Sequence, residues 1–348
     1  KGIFAREEAL LPDFLPEELP FRQGHLQEMA RALLPLAKKN KALNLFLHGP
    51  TGSGKTSAAK HVLHQLSAYS DNVNAAYVNC WQTNSRQSVF SQIAESIGEV
   101  LPRRGIGADE VFNRVIQSLK REEKTLAVVL DEADRVFFKG EEKLLYDLAR
   151  SQEQHDVRIA VVCISNNAEL FAKADERIRS SLRPLEVAFE KYSPIQLKEI
   201  LRQRGKTAFV KGACSEKVIA ICAAHAARLG GDARIALETL WHSGKNAQSL
   251  GASEISEKDV RQTFEKTGLW KKKQQLESAS KGEKVILGLL EAGPLTSGEL
   301  YKKFKQIQDE SDRNIRNHLE KLEKRKLVSM EDVNVKESRG KTRVIQLS

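Results

Sequence analysis

Residues 43–56 read LNLFLHGPTGSGKT, and this stretch decides the fold. Leu43 to Leu47 is a short apolar run of the kind that forms a buried strand. Gly49, Pro50, Thr51, Gly52, Ser53, Gly54, Lys55 and Thr56 complete the phosphate-binding pattern G-x-x-x-x-G-K-[ST], and residues 57–66 then carry Val62, Leu63 and Leu66 at helical spacing. Strand, glycine loop and helix form the context in which that pattern works. Glycines let consecutive backbone N–H groups turn toward an anion, and the helix N-terminus adds its positive end. Lys55 is placed to reach the β- and γ-phosphates of a nucleotide, and the Thr56 hydroxyl to hold Mg²⁺. Ser57, the next residue, belongs to the same cofactor-binding set. Pro50 stiffens the loop without removing an N–H that the pattern needs.

A phosphate loop needs a metal-holding partner, and residues 126–134, LAVVLDEAD, supply one. The apolar run 126–130 is a second buried strand, expected beside the phosphate loop, ending in Asp131 and Glu132. A carboxylate at the carboxyl end of such a strand holds Mg²⁺ directly or through water, which is the role of Asp131. Glu132 is placed to polarise an attacking water as general base. Ser165-Asn166-Asn167 closes a further strand. Asn166 either touches the γ-phosphate or its water, or is a plain turn asparagine. In Gly230-Gly231-Asp232-Ala233-Arg234, Asp232 caps a helix and Arg234 points from its first turn. That arginine either bridges to the nucleotide or is a surface side chain beside a cap.

The chain has 348 residues, 41% of them hydrophobic, with formal net charge +10 and a pI near 9.3. Such a length suits two or three domains, and the charge favours an acidic partner such as nucleic acid over a small neutral ligand. Cys80, Cys163, Cys214 and Cys222 are scattered without metal-type pairing, as buried reduced thiols in a cytosolic protein would be. No apolar run reaches membrane-spanning length and no signal peptide is present. The first residue is Lys1 rather than Met, which leaves the native start open.

Along the chain, residues 3–21 interleave Phe4, Leu10, Leu11, Phe14, Leu15 and Leu19 with Pro12, Pro16 and Pro20. This is an arm lying on another surface rather than a free helix. Helices are expected over 23–36, 85–100, 109–120 (capped by Asp109), 141–154 and 194–209. Further strands are expected over 75–79, 159–165 and 185–189. Together they predict an α/β domain with a parallel sheet over 1–205. Residues 206–270 read as a small helical domain and 271–280 as a lysine-rich linker. The third unit, 281–348, carries three amphipathic helices and a hairpin, with 15 basic residues against 11 acidic. This is the order of a winged helix-turn-helix, a fold that serves either DNA or protein partners. Arg313, Arg316 and Asn317 lie on the outer face of its third helix. Lys336, Arg339, Gly340, Lys341 and Arg343 lie on its hairpin. Arg103 and Arg104, in the break 101–108, are either a DNA contact or a solvated loop.

These motifs, in this order, resemble the AAA+ initiator ATPases, and among them the archaeal origin-recognition (Orc/Cdc-type) proteins. The likeness extends to LPDFLPEELPFR (11–22), YVNC (77–80) and IRSSL (178–182) and covers nearly the whole chain. It implies an AAA+ base over 1–205, a helical lid over 206–270 and a DNA-binding winged helix over 281–348. It further implies ATP/ADP and Mg²⁺ as cofactors, origin duplex DNA, the replicative helicase and related initiator subunits as partners, and a nucleoid-associated place in the cytoplasm. Lys55 and Thr56 match the phosphate-loop pair, Asp131 and Glu132 the metal and base carboxylates, Asn166 the first sensor and Arg234 the second. An arginine that acts on a neighbouring subunit's ATP in eukaryotic relatives is matched here by Ser181, with Arg177, Arg179 and Arg183 nearby. Two rival readings remain: an ATPase partner of a transposition or repair machine whose winged helix binds protein, and a nucleotide-switched signalling protein.

Overall fold

The computed structural model describes residues 2–102, 105–264, 279–290, 293–324, 327–334 and 341–347, and the chain divides into two compact units, Lys1–Val260 and Arg261–Ser348. The first unit holds strands β1 (Leu45–His48), β2 (Val73–Asn79), β3 (Thr125–Asp131), β4 (Ile159–Ser165) and β5 (Leu185–Ala188). All pair parallel, in the order β2-β3-β4-β1-β5. Both faces of this sheet are buried, so its strands read as continuous apolar runs rather than alternating ones. Phe46, Val128 and Leu130 face one core; Leu45, Leu47, Ala127 and Val129 face the other.

Helices α1 (Gln23–Leu33) and α2 (Lys55–Tyr69) cover the second face. On the first lie α3 (Arg86–Ser96), α4 (Ala108–Arg121), α5 (Asp134–Phe138) and α6 (Lys143–Ala149). After the short α7 (Ser151–His155), α8 (Glu176–Leu182) returns to that face through Ile178 and Leu182. A lid follows, made of α9 (Pro194–Ala208), α10 (Glu216–Arg228), α11 (Ala233–Ser249) and α12 (257–264). Ser193 starts α9 with a capping box and Pro194 in the first turn, and residue 205 lies inside that helix. The N-terminal arm is bound to the lid. Ala5 and Arg6 N–H donate to Ala208 O, Val210 N–H donates to Ile3 O, and Phe4 stacks on Phe209 with centroids 5.0 Å apart.

The second unit contains α13 (Lys281–Leu290), β6 (Leu295–Thr296), α14 (Ser297–Ile307), α15 (Asp312–Lys324), β7 (Val328–Asn334) and β8 (Lys341–Leu347). Its three strands form an antiparallel sheet in the order β6-β8-β7. Ile286, Leu300, Phe304, Ile315, Leu319 and Ile345 meet in its core, which leaves Arg313, Arg316 and Asn317 exposed on the far side of α15.

Strand β4 pairs with both β1 and β3 and lies between them. Two local expectations are corrected. Asp109 does not cap α4: the N-cap is Gly107, and Asp109 sits in the first turn, where its carboxylate pairs with Arg86. The single helix expected over 141–154 is broken at Arg150, whose φ of −98° and ψ of 7° leave the helical range. Ser151, just past the break, turns its hydroxyl to Val157 O at 3.0 Å. Three of the four cysteines are buried, while Cys214 is only half-buried.

Candidate functional site

The carboxyl ends of β1, β3 and β4 bring the motif residues to one edge of the sheet, where parallel α/β sheets bind ligands. The loop after β1 depends on glycine: Gly49, Gly52 and Gly54 have φ of 142°, 71° and 95°. Lys55 opens α2, and its Nζ donates to Gly49 O (2.7 Å), Pro50 O (2.9 Å) and Asn166 Oδ1 (3.0 Å). Burial lowers the Lys55 pKa to about 8, against the pull of the Asp131 carboxylate. A dianionic phosphate beside it would favour the charged form again. The Thr56 hydroxyl donates to Asp131 Oδ2 at 2.7 Å. Although β3 is one strand removed from β1, the first turn of α2 closes that distance.

Tyr77 is a site residue that the sequence does not single out, although its strand is legible there. Its phenol donates to the same Asp131 Oδ2 at 2.7 Å, and burial raises its pKa. Register explains it: Tyr77 lies two residues before the end of β2, which pairs with β3 through Asn79 and Asp131. Only the sheet order makes that visible. Glu132 has φ of 55°, a left-handed backbone uncommon outside glycine, and donates its N–H to Asp131 Oδ1 at 2.9 Å. The turn separates two adjacent carboxylates. Burial, then the charges of Asp131 and Asp134, push the Glu132 pKa up, which suits a proton acceptor.

The lid closes the site from above. Asp232 caps α11 through Arg234 N–H at 2.8 Å, and Ala233 N–H donates to Gly52 O at 3.2 Å. Arg234 lines the cavity with its guanidinium on the Asp232 carboxylate, at 3.3 Å. The cavity measures about 970 Å³ and runs from Lys55, Asp131 and Asn166 to a far end bordered by Leu11, Ile200 and Trp241. The arm holds that end: Arg204 donates to Ala9 O and Leu11 O, and Glu7 accepts from Trp241 Nε1 (2.8 Å) and Lys245 Nζ (2.8 Å).

Two observations test the fit of a magnesium nucleotide. Ser53 Oγ, in the middle of the loop, is buried with no partner among the described residues, and glycines cradle the space in front of Lys55. Thr56 and Asp131 supply one hydroxyl and one carboxylate, the sparse donor set by which Mg²⁺ is held when phosphates and water complete its shell. No dedicated cage of His, Cys, Asp and Glu exists among the described residues. The residues fit the group.

Of the other expected residues, Thr51 is exposed and Ser57 half-buried, in the loop and the first turn of α2. Arg343 is exposed on β8, the strand that Lys341 begins. Ser181 donates its hydroxyl to Arg177 O at 2.7 Å, while Arg177, Arg179 and Arg183 are exposed. Arg103, Arg104, Lys336, Arg339 and Gly340 lie outside the described residues. No helix among the described residues is long and apolar enough to cross a membrane.

Two family models match: an AAA domain over residues 38–171 and a Cdc6 AAA+ ATPase-type lid domain over residues 198–265. The ORC1-type DNA replication protein 1 of Sulfolobus acidocaldarius is 33% identical over 306 residues, spanning 86% of this chain and 77% of the relative. Its namesake in Sulfurisphaera tokodaii is 32% identical and covers 99% of this chain and 90% of its own. Among solved structures, the Aeropyrum pernix ORC1 protein in complex with DNA superposes with a TM-score of 0.80 at 30% identity, covering 99% of this chain and 94% of that one. The ADPNP-ADP complexes of the Aeropyrum pernix ORC2 protein share the fold, with a TM-score of 0.72 at 21% identity.

Proposed function

The chain belongs to the family of ORC1-type DNA replication proteins, and from that premise we propose that it is an ATP-governed initiator that binds replication-origin DNA and helps recruit the replicative helicase. The observation that carries the nucleotide part is the convergence of Lys55, Thr56, Asp131, Glu132 and Asn166 under a lid that rests on Gly52. Lys55 binds the β- and γ-phosphates, the loop N–H groups orient them, and Thr56 and Asp131 hold Mg²⁺. When bound, Mg²⁺ neutralises charge on the phosphates. Glu132 takes the proton of the attacking water, and Asn166 holds that water or the γ-phosphate. Arg234 swings from Asp232 to the γ-phosphate, so that the lid reports which nucleotide is present.

The unit over 281–348 is the DNA-binding part, a winged helix entering the major groove through α15. Its exposed Arg313, Arg316 and Asn317 support this, as does the DNA bound by the Aeropyrum relative. Lys336, Arg339, Gly340, Lys341 and Arg343 contribute further contacts to the same duplex. Arg103 and Arg104 add a contact from the base, and the protein works in the nucleoid. The base over 1–205 and the lid over 206–270 carry the nucleotide, and 271–280 links them to the winged helix.

Binding and hydrolysis measured side by side test the nucleotide roles. Lys55→Ala loses ATP binding, because the loop loses its point charge. Glu132→Gln keeps binding and loses turnover, because an amide cannot take the proton. Parent-rate hydrolysis by Glu132→Gln rules out the base assignment.

A further inference from the structure

Arg22 lies just before α1, far in sequence from the phosphate loop, yet its side chain is only 4% exposed and reaches that loop. Its Nε donates to Ser53 O at 2.9 Å and its Nη2 to Glu190 O at 2.7 Å. The guanidinium lies over the rings of Tyr192 and Phe189, 4.1 and 5.4 Å from their centroids. Among the described residues no carboxylate pairs with it, so the charge is held by carbonyls and aromatic faces alone. A buried cation without a counter-ion is costly, and one so fully bonded to backbone has a fixed position.

What it fixes is a peptide plane. In a trans peptide the C=O and the following N–H point in opposite directions. Arg22 holds the Ser53 carbonyl from outside the loop, so Gly54 N–H faces the other way, toward the cavity that Gly52, Ser53, Gly54, Lys55 and Thr56 line. One residue earlier the Gly52 carbonyl is held by Ala233 N–H of the lid, which fixes Ser53 N–H pointing away from that contact. Neither N–H meets a protein acceptor among the described residues.

We propose that Arg22 is a positioning residue for the nucleotide's β-phosphate, aiming Gly54 N–H at it through the Ser53 carbonyl, with the lid aiming Ser53 N–H through the Gly52 carbonyl. This rests on the reading of the loop as a nucleotide site. The cradle is thus completed by two elements outside the motif, and Glu190 ties the same guanidinium to the segment that leads into the lid.

Competition against a fluorescent ADP analogue on the full chain gives Kd for ADP and for AMP. The ratio Kd(AMP)/Kd(ADP) isolates the β-phosphate from base and ribose. In Arg22→Gln the ratio is expected to fall about 10–100-fold, the worth of one oriented hydrogen bond to a charged group. Arg22→Lys keeps the charge but reaches one carbonyl, and its ratio falls by roughly tenfold. It preserves the folded state where removal of the charge does not. Melting curves identify the folded variants. A merely structural role weakens both ligands alike and leaves the ratio unchanged, so a parent-like ratio in a folded variant overturns the proposal. A parent chain that binds no ADP overturns the nucleotide reading itself.

Discussion

Gly52 occupies a position that the phosphate-loop pattern leaves open, yet the structure demands glycine there, and Gly52→Ala measures why. With φ at 71°, an alanine would sit in the left-handed region at a cost of about 1–2 kcal/mol. Its Cβ would lie 1.7 Å from Asp232 Oδ1 and 2.2 Å from Asp232 Cγ, so the Asp232 carboxylate must move by more than an ångström. That carboxylate caps α11, and loss of the cap costs about 1 kcal/mol. The bond from Ala233 N–H to Gly52 O goes with it, worth about 0.5–1.5 kcal/mol. The cap and the Ala233 bond, together about 1.5–2.5 kcal/mol, fall on the docking of the lid against the loop and move a closed-to-open equilibrium by about one to two decades, at ~1.4 kcal/mol each, whereas the left-handed strain burdens the loop in both states. The assay is a base-to-lid distance distribution by double electron–electron resonance without nucleotide, beside the parent. A longer, broader distribution is expected. Gly52→Ala combined with Asp232→Ala removes the clash but not the loss of the cap, so the double variant should regain the Ala233 bond and with it part of the closed population. A parent-like distribution in the single variant, or no coupling between the two sites, would refute the reasoning.

Gly244→Ala should loosen the N-terminal arm, since its Cβ would lie 2.6 Å from Phe4 Cζ and 2.8 Å from Phe209 Cε1. The expected destabilisation is about 1–3 kcal/mol, read by melting, with faster proteolysis between residues 11 and 20; unchanged cleavage contradicts it. Arg316→Ala should cost about 1–3 kcal/mol on the preferred duplex and little on random DNA, read by anisotropy titration, if the side chain reaches a base edge. An equal loss on both would make Arg316 a phosphate contact.

The parts of the site that were legible in the sequence are those written in contiguous residues. An apolar run before Gly49 and another before Asp131 specify buried strands whose carboxyl ends carry the chemistry, and Lys55, Thr56, Asp131 and Asn166 do meet there. What was not legible depends on approach between distant segments. Arg22 meets Ser53, Asp232 meets Gly52 and Tyr77 meets Asp131 only after the sheet order and the lid contact exist. The same limit covers the sheet order: strands in sequence order do not reveal that β4 inserts between β3 and β1. Helix ends failed for local reasons. Asp109 has the side chain of a cap, but it is drawn to Arg86, and Gly107 takes the N-cap position.

Selection of DNA by the full chain tests the central claim most directly. Fragmented genomic DNA of the source organism is mixed with the protein and ATP at physiological salt, with non-specific competitor, and the bound fragments are sequenced. The account predicts that they concentrate at a few loci sharing a common motif, and that Arg313→Ala with Arg316→Ala abolishes the concentration. Uniform coverage of the genome by the parent chain, with the same affinity for every fragment, would contradict it.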